Sequence, residues 1–163
     1  MGFVKEPNLL YLKLDDAVAV EKPGLCLKLA SDGELELCGA GDRCIGIAAM
    51  TTEDPLNPGT YLKGVEIALV REGIVYLQLP ATHSAISPGD RLATADDGYV
   101  TKFTDGDTST AWPDTYAKET AESITDEIIS VIREEKSIVG IALEAKAENA
   151  GGEIKALLTF AAR

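Results

Sequence analysis

One histidine, three cysteines and one tryptophan in 163 residues leave little for chemistry built on those side chains. His83, the sole imidazole, stands in PATHSAISPGD with Ser84, Ser87 and Asp90 nearby. Nucleophilic catalysis needs a base within hydrogen-bond reach of its nucleophile, and a third group to orient that base. Nearness along the chain supplies neither, and no Gly-x-Ser-x-Gly elbow is present. His83 therefore reads as a loop residue, and the chain as no enzyme. Cys26, Cys38 and Cys44 are odd in number and include no Cys-x-x-Cys pair, which argues against both a disulfide framework and a zinc site. Each lies in or beside an apolar segment, where a free thiol behaves as a small hydrophobe. No metal and no cofactor is expected, and the reduced thiols fit synthesis in a cytoplasm.

Positive charge is also scarce. Fifteen Lys and Arg against 27 Asp and Glu leave a formal charge of -12. Nucleic-acid binding relies on basic residues displacing phosphate counterions, so a nucleic-acid partner is not expected. Anionic membranes are disfavoured for the same reason, and no apolar run is long enough for a membrane-spanning helix. The opening MGFVKEPNLLYLKL lacks the basic-then-apolar order of a secretory signal, and Glu6 stands where a myristoylation start needs Ser or Thr. The stretch CGAGDRCIG does not match Gly-x-Gly-x-x-Gly and reads as a polar turn between strands. Glu34 with Glu36, and Asp96 with Asp97, suit a solvated surface better than a cleft. Oxygen ligands cluster in TTEDPLN and TDGDTST, but neither matches a full calcium loop.

What is abundant is alternation. In GLCLKLA, Leu25, Leu27 and Leu29 face one way, with Cys26 and Lys28 between them. ELELC alternates Glu34 and Glu36 with Leu35 and Leu37, and Asp32-Gly33 between the two runs predicts a hairpin. VEIALV and IVYLQL around Arg71–Gly73 predict a second hairpin, and Asp97-Gly98 a third. Near the C-terminus Ile154, Ala156, Leu158 and Phe160 share a face. Two distant stretches, CIGIAAM at Cys44 and IVGIALEA at Ile138, repeat nearly the same word, each followed by a polar loop and another strand-like run. Gly46 and Gly140 interrupt strands that otherwise read as buried, which marks a bend or the close approach of another backbone. The expected fold is mainly β: one domain, residues 1–163, an antiparallel β-barrel or sandwich built of two similar halves.

Two segments depart from this pattern. Residues 105–136 are polar and read as an inserted loop with one short helix near Ile124 to Glu135; a strand through IISVI is the alternative. Ile124, Ile128, Val131 and Ile132 fall at helical spacing, and Ser123 or Thr125 can cap the N-terminus. Residues 1–8 form an arm in which Pro7 discourages helix. An extended arm can add a strand to a neighbouring sheet edge.

The order GLCLKLASDGELELCGAGDRCIGIAAM, VEIALVREGIVYLQLPATHSAISPGDRLATADDGYVT and SIVGIALEAKAENAGGEIKALLTF resembles phage and prophage capsid cement (head decoration) proteins. The matching pattern is an early Gly-Ile/Val-Ala strand, I-x-x-G-D-x-L followed by D-G-x-V, and a final G-x-A-L-E. Ile86, Gly89, Asp90, Leu92, Asp97, Gly98, Val100, Gly140, Ala142, Leu143 and Glu144 carry it here. The resemblance implies a non-enzymatic virion protein, a small β-barrel on the capsid exterior that binds the major capsid protein and stabilises the lattice. It also implies a homo-oligomer, usually a trimer. On this reading Phe3, Val4, Lys5 and Pro7 of the arm touch the shell, and Ile124, Ile128, Val131 and Ile132 are candidate contacts between copies. A ligand- or host-surface-binding β module without catalysis is the competing expectation; it would use Tyr99, Trp112 and Tyr116, although aromatics make up only 6% of the chain.

Overall fold

The computed structural model describes residues 9–104 and 137–159. The arm at 1–8, the segment 105–136 with its expected helix, and Phe160 lie outside these residues. Ten strands run in chain order: β1 (Leu9–Lys13), β2 (Cys26–Leu29), β3 (Leu35–Leu37), β4 (Gly46–Ala48), β5 (Glu66–Val70), β6 (Ile74–Leu79), β7 (Arg91–Thr94), β8 (Val100–Lys102), β9 (Ile138–Ala142) and β10 (Gly152–Leu158). Among the described residues the helical content is a single 3-10 turn, Asp96–Gly98. The fold is mainly β, as the alternation predicts.

The strands form two antiparallel five-stranded sheets, ordered β1-β5-β4-β2-β3 and β6-β10-β9-β7-β8. The second order is the first with each strand moved on by one half of the chain. Each sheet curls until its end strands meet. In the first half the edges touch through a parallel bridge between Leu14 and Leu35, with the Asp15 N–H donating to the Leu35 carbonyl at 2.9 Å. In the second, β6 lies beside β8.

With the topology in hand, the duplication becomes readable in sequence far beyond the Gly-Ile-Ala word. At one constant offset LLYLKL (Leu9–Leu14) returns as IVYLQL (Ile74–Leu79), Pro23-Gly24 as Pro88-Gly89, Leu27 as Leu92, and Asp32-Gly33 as Asp97-Gly98. The hydrogen bonds repeat with it. Gly24 donates to Ala48 and Ala48 to Leu25, both at 2.9 Å; Gly89 donates to Ala142 and Ala142 to Asp90, both at 2.8 Å. Gly46 pairs with Leu27 of β2, and Gly140 with Leu92 of β7.

Both repeated glycines mark a close approach rather than a turn. A Cβ on Gly46 would stand 2.9 Å from the Leu69 Cβ, and one on Gly140 would stand 2.5 Å from the Leu157 carbonyl oxygen. Opposite Gly140 the β7–β9 register slips between Leu92 and Ala93, a bulge that tightens the curl. The Asp97-Gly98 hairpin has both residues at positive φ, 57° and 77°, the twist that suits a two-residue connection.

The Arg71–Gly73 turn does not close a hairpin. β5 pairs with β1 and β4, whereas β6 pairs with β10, so this turn carries the chain from one sheet to the other. Turn chemistry is local, but the partner of each strand is set by the half to which it belongs.

Leu14, Val20, Leu27, Leu35, Ile67 and Leu69 fill the interior of the first half. Leu77, Leu79, Leu92, Val100, Ile154 and Ala156 fill the second. Burial of each large aliphatic side chain contributes about 1.5–3 kcal/mol. GLCLKLA departs from strict alternation because Cys26 and Leu27 are both fully buried. Leu27 points into its own half; Cys26, Cys38, Cys44 and Ile47 join the core of the other.

Candidate functional site

The residues with the most chemistry are held by the fold itself. His83 is buried in the loop before β7. Its Nδ1 lies 2.8 Å from the Ser84 carbonyl, which can only accept, so Nδ1 carries the hydrogen. Nε2 accepts from the Gly151 N–H at 3.3 Å, and the His83 N–H donates to the Asn149 side-chain oxygen at 3.0 Å. Nε2 and the His83 N–H thus tie loop 81–86 to the turn before β10, while Nδ1 fixes the ring within its own loop. Ser87 and Asp90 are occupied with each other, the Ser87 N–H donating to the Asp90 carboxylate at 2.8 Å. Asp90 also pairs with Lys102 at 2.9 Å; these two partners hold its carboxyl below the usual range. The sequence neighbourhood of His83 does not converge on the ring.

The three cysteines are free thiols in the joint between the halves. The neighbouring Cys44 and burial in an apolar core push the Cys26 thiol well above its ordinary value, and Cys38 is raised by the same causes. All three are buried, so a thiol-specific reagent should label none of them within minutes in native protein, and all three once the chain is denatured; rapid native labelling would contradict this placement.

Among the described residues, Asp15, Asp32 and Glu34 form one acidic group with metal-binding spacing. Each of its three carboxylates already accepts a hydrogen bond. Asp15 accepts from the Ala17 N–H at 2.7 Å, Asp32 from the Glu34 N–H at 3.0 Å, and Glu34 from Lys13 at 2.6 Å. Hydrogen bonds to Glu34 and Asp16 hold the Lys13 ammonium above its ordinary value. No buried side-chain N or O lacks a partner among the described residues.

What the fold does present is surfaces. The first half seats its outer face on the second through polar contacts around the thiols. The Gln78 side chain donates to the Pro23 carbonyl at 2.7 Å and its N–H to the Gly24 carbonyl at 3.2 Å. The Gly98 N–H donates to the Cys38 carbonyl at 2.8 Å, and Thr94 Oγ1 to the Asp42 carbonyl at 2.8 Å. Asp42 anchors that loop. Burial pushes its carboxyl up, but Lys28 and the Gly39 N–H, each at 2.8 Å, outweigh burial and hold it low. The second half carries an exposed apolar patch across β6, β10 and the end of β9: Ile74, Tyr76, Leu157 and Leu143. Leu157 sits between Ile74 and Ile141 in the sheet. Sequence reasoning did not find this patch, because its members look like ordinary strand residues. Tyr99, expected on the surface, packs against the core of the first half instead, since the Asp97-Gly98 turn docks there. Trp112 and Tyr116, like the four arm residues and the 124–132 stripe, lie outside the described residues.

The fold and these surfaces define a duplicated β protein of two antiparallel sheets whose distinctive features are faces and edges. No family model matches the chain, and no curated protein matches it in sequence. Among solved structures it is similar to the N base of the head fibre gp8.5 in bacteriophage phi29, with a TM-score of 0.51 at 13% sequence identity. The likeness covers 93% of this chain and 95% of that one, so both halves take part.

Proposed function

We propose that this chain is a non-catalytic structural protein of a phage or provirus head, bound to the outside of the shell through the major capsid protein. The observation that carries the reading is the end-to-end likeness to the base of a phage head fibre, reached by a chain whose motifs independently resemble head decoration proteins. The acidic balance of the chain suits a component that faces solvent and does not capture packaged DNA. On this reading the chain stabilises the capsid lattice and acts as a homo-oligomer, a trimer in the form proposed.

The arm is assigned the contact with the shell. Phe3, Val4, Lys5 and Pro7 precede β1, so an extended arm can pair with an edge on the capsid without disturbing the sheet. Deletion of residues 2–8 should leave thermal stability and sedimentation of the free protein unchanged and weaken attachment to undecorated heads at least about tenfold, the loss of a few main-chain hydrogen bonds. Co-sedimentation with heads measures it. Equal attachment by the truncated chain would move the contact to the loops; no attachment by either chain would remove the head reading.

A further inference from the structure

We infer that copies of this chain join head to tail through the same joint that unites the two halves within one copy. The inference names the contact behind the self-association proposed above and rests on that reading. A duplicated chain carries each side of the joint twice, and only one of each is used internally.

The first half presents its outer face, with Gly24, Cys26, Ile47 and Val70. Its counterpart in the second half holds Gly89, Arg91, Ile141 and Leu157 at the same register positions. That face has no cover from the described residues: Leu157 is 41% exposed, and its neighbours Ile74 and Leu143 are 59% and 40% exposed. The receiving side in the second half is the β6 edge at Gln78, with Thr94 and the tip at Gly98. Its counterpart in the first half is Lys13, Leu29 and Gly33, and Leu29 is 50% exposed.

The glycines report the same division. A Cβ on Gly24 would stand 2.4 Å from the Tyr76 carbonyl oxygen, and one on Gly98 would stand 3.0 Å from the Cys26 carbonyl oxygen. Their counterparts Gly89 and Gly33, with φ of 92° and 89°, have nothing within 4 Å. So the used positions are packed against backbone and the unused ones are open. A contact between two different faces is heterologous; repeated, it gives a ring where its rotation closes and an open filament where it does not.

Sedimentation velocity on the full chain tests this. Wild type should self-associate. Leu157→Glu blocks one face and Leu29→Glu the other, so each alone should weaken association at least about a hundredfold, because an unpaired carboxylate would be buried. Mixed one to one, the two variants should form a heterodimer and nothing larger, since each keeps the face the other lacks. Unchanged melting temperatures show that the variants fold; Ile74→Glu replaces Leu157→Glu if that one does not. A monomeric wild type overturns both this contact and self-association. Variants that associate like wild type overturn the joint alone and point to residues 105–136. Monomeric variants that do not pair when mixed also overturn it, leaving a contact of like faces, and head attachment is measured separately.

Discussion

Gly140→Ala is expected to destabilise the protein by more than about 3 kcal/mol, at the upper end of what overpacking costs, whereas alanine elsewhere in a strand usually helps. The added Cβ would stand 2.5 Å from the Leu157 carbonyl oxygen and 3.2 Å from its carbon. Both are backbone atoms of β10, which is itself held in register by β6 and β9. They cannot retreat without opening the ladder at Leu158 and Gly140. The equivalent Gly46→Ala should cost about 1–3 kcal/mol, because its nearest atoms belong to the Leu69 side chain, which can turn at some loss of packing. Guanidinium unfolding midpoints of the two variants measure the difference. Equal tolerance of both would mean that the repeated glycines serve bending and not close approach.

The second large effect falls on the joint. Gly24 and Gly59 have nearly the same backbone, with φ of 87° and 85°, so alanine at either pays the same left-handed strain, about 1–2 kcal/mol. They differ in surroundings. Gly59 has nothing within 4 Å, while a Cβ on Gly24 would meet the Tyr76 carbonyl oxygen at 2.4 Å. Gly24→Ala should therefore cost at least about 2 kcal/mol more than Gly59→Ala, the added cost of overpacking against backbone. It should also loosen the halves, since Gln78 would lose its bonds to Pro23 and Gly24. Faster labelling of Cys26, Cys38 and Cys44 in Gly24→Ala than in Gly59→Ala is the second readout. If both variants melt and label alike, the halves are not held at Gly24.

Several elements were legible because their causes are local. Asp32-Gly33 and Asp97-Gly98 have the turn chemistry that a hairpin requires, and each closes one. Leu9–Lys13 alternates and forms β1; Ile154, Ala156 and Leu158 share a buried face. Arg71–Gly73 carries the same kind of signal yet joins two sheets, because a turn does not choose the partners of the strands it connects. Tyr99, which the competing binding-module reading needs on the surface, packs inward for a related reason. Its own hairpin is correct, but the tip docks on another part of the chain.

By itself the sequence determined the class and the doubling of this protein. Side-chain period 2 demands strands with two unlike faces, Gly and Asp-Gly pairs supply the positive φ of the turns, and the repeated Gly-Ile-Ala word requires one backbone geometry twice. Only the tertiary structure decided which outer face is covered. Cys26 and Arg91, Ile47 and Ile141, and Val70 and Leu157 occupy equivalent places in equivalent strands. Cys26 and Ile47 are fully buried, whereas Arg91 and Leu157 are exposed. The difference lies outside either local segment: the atoms that cover the first face come from the other half of the chain, and the described residues leave the second exposed.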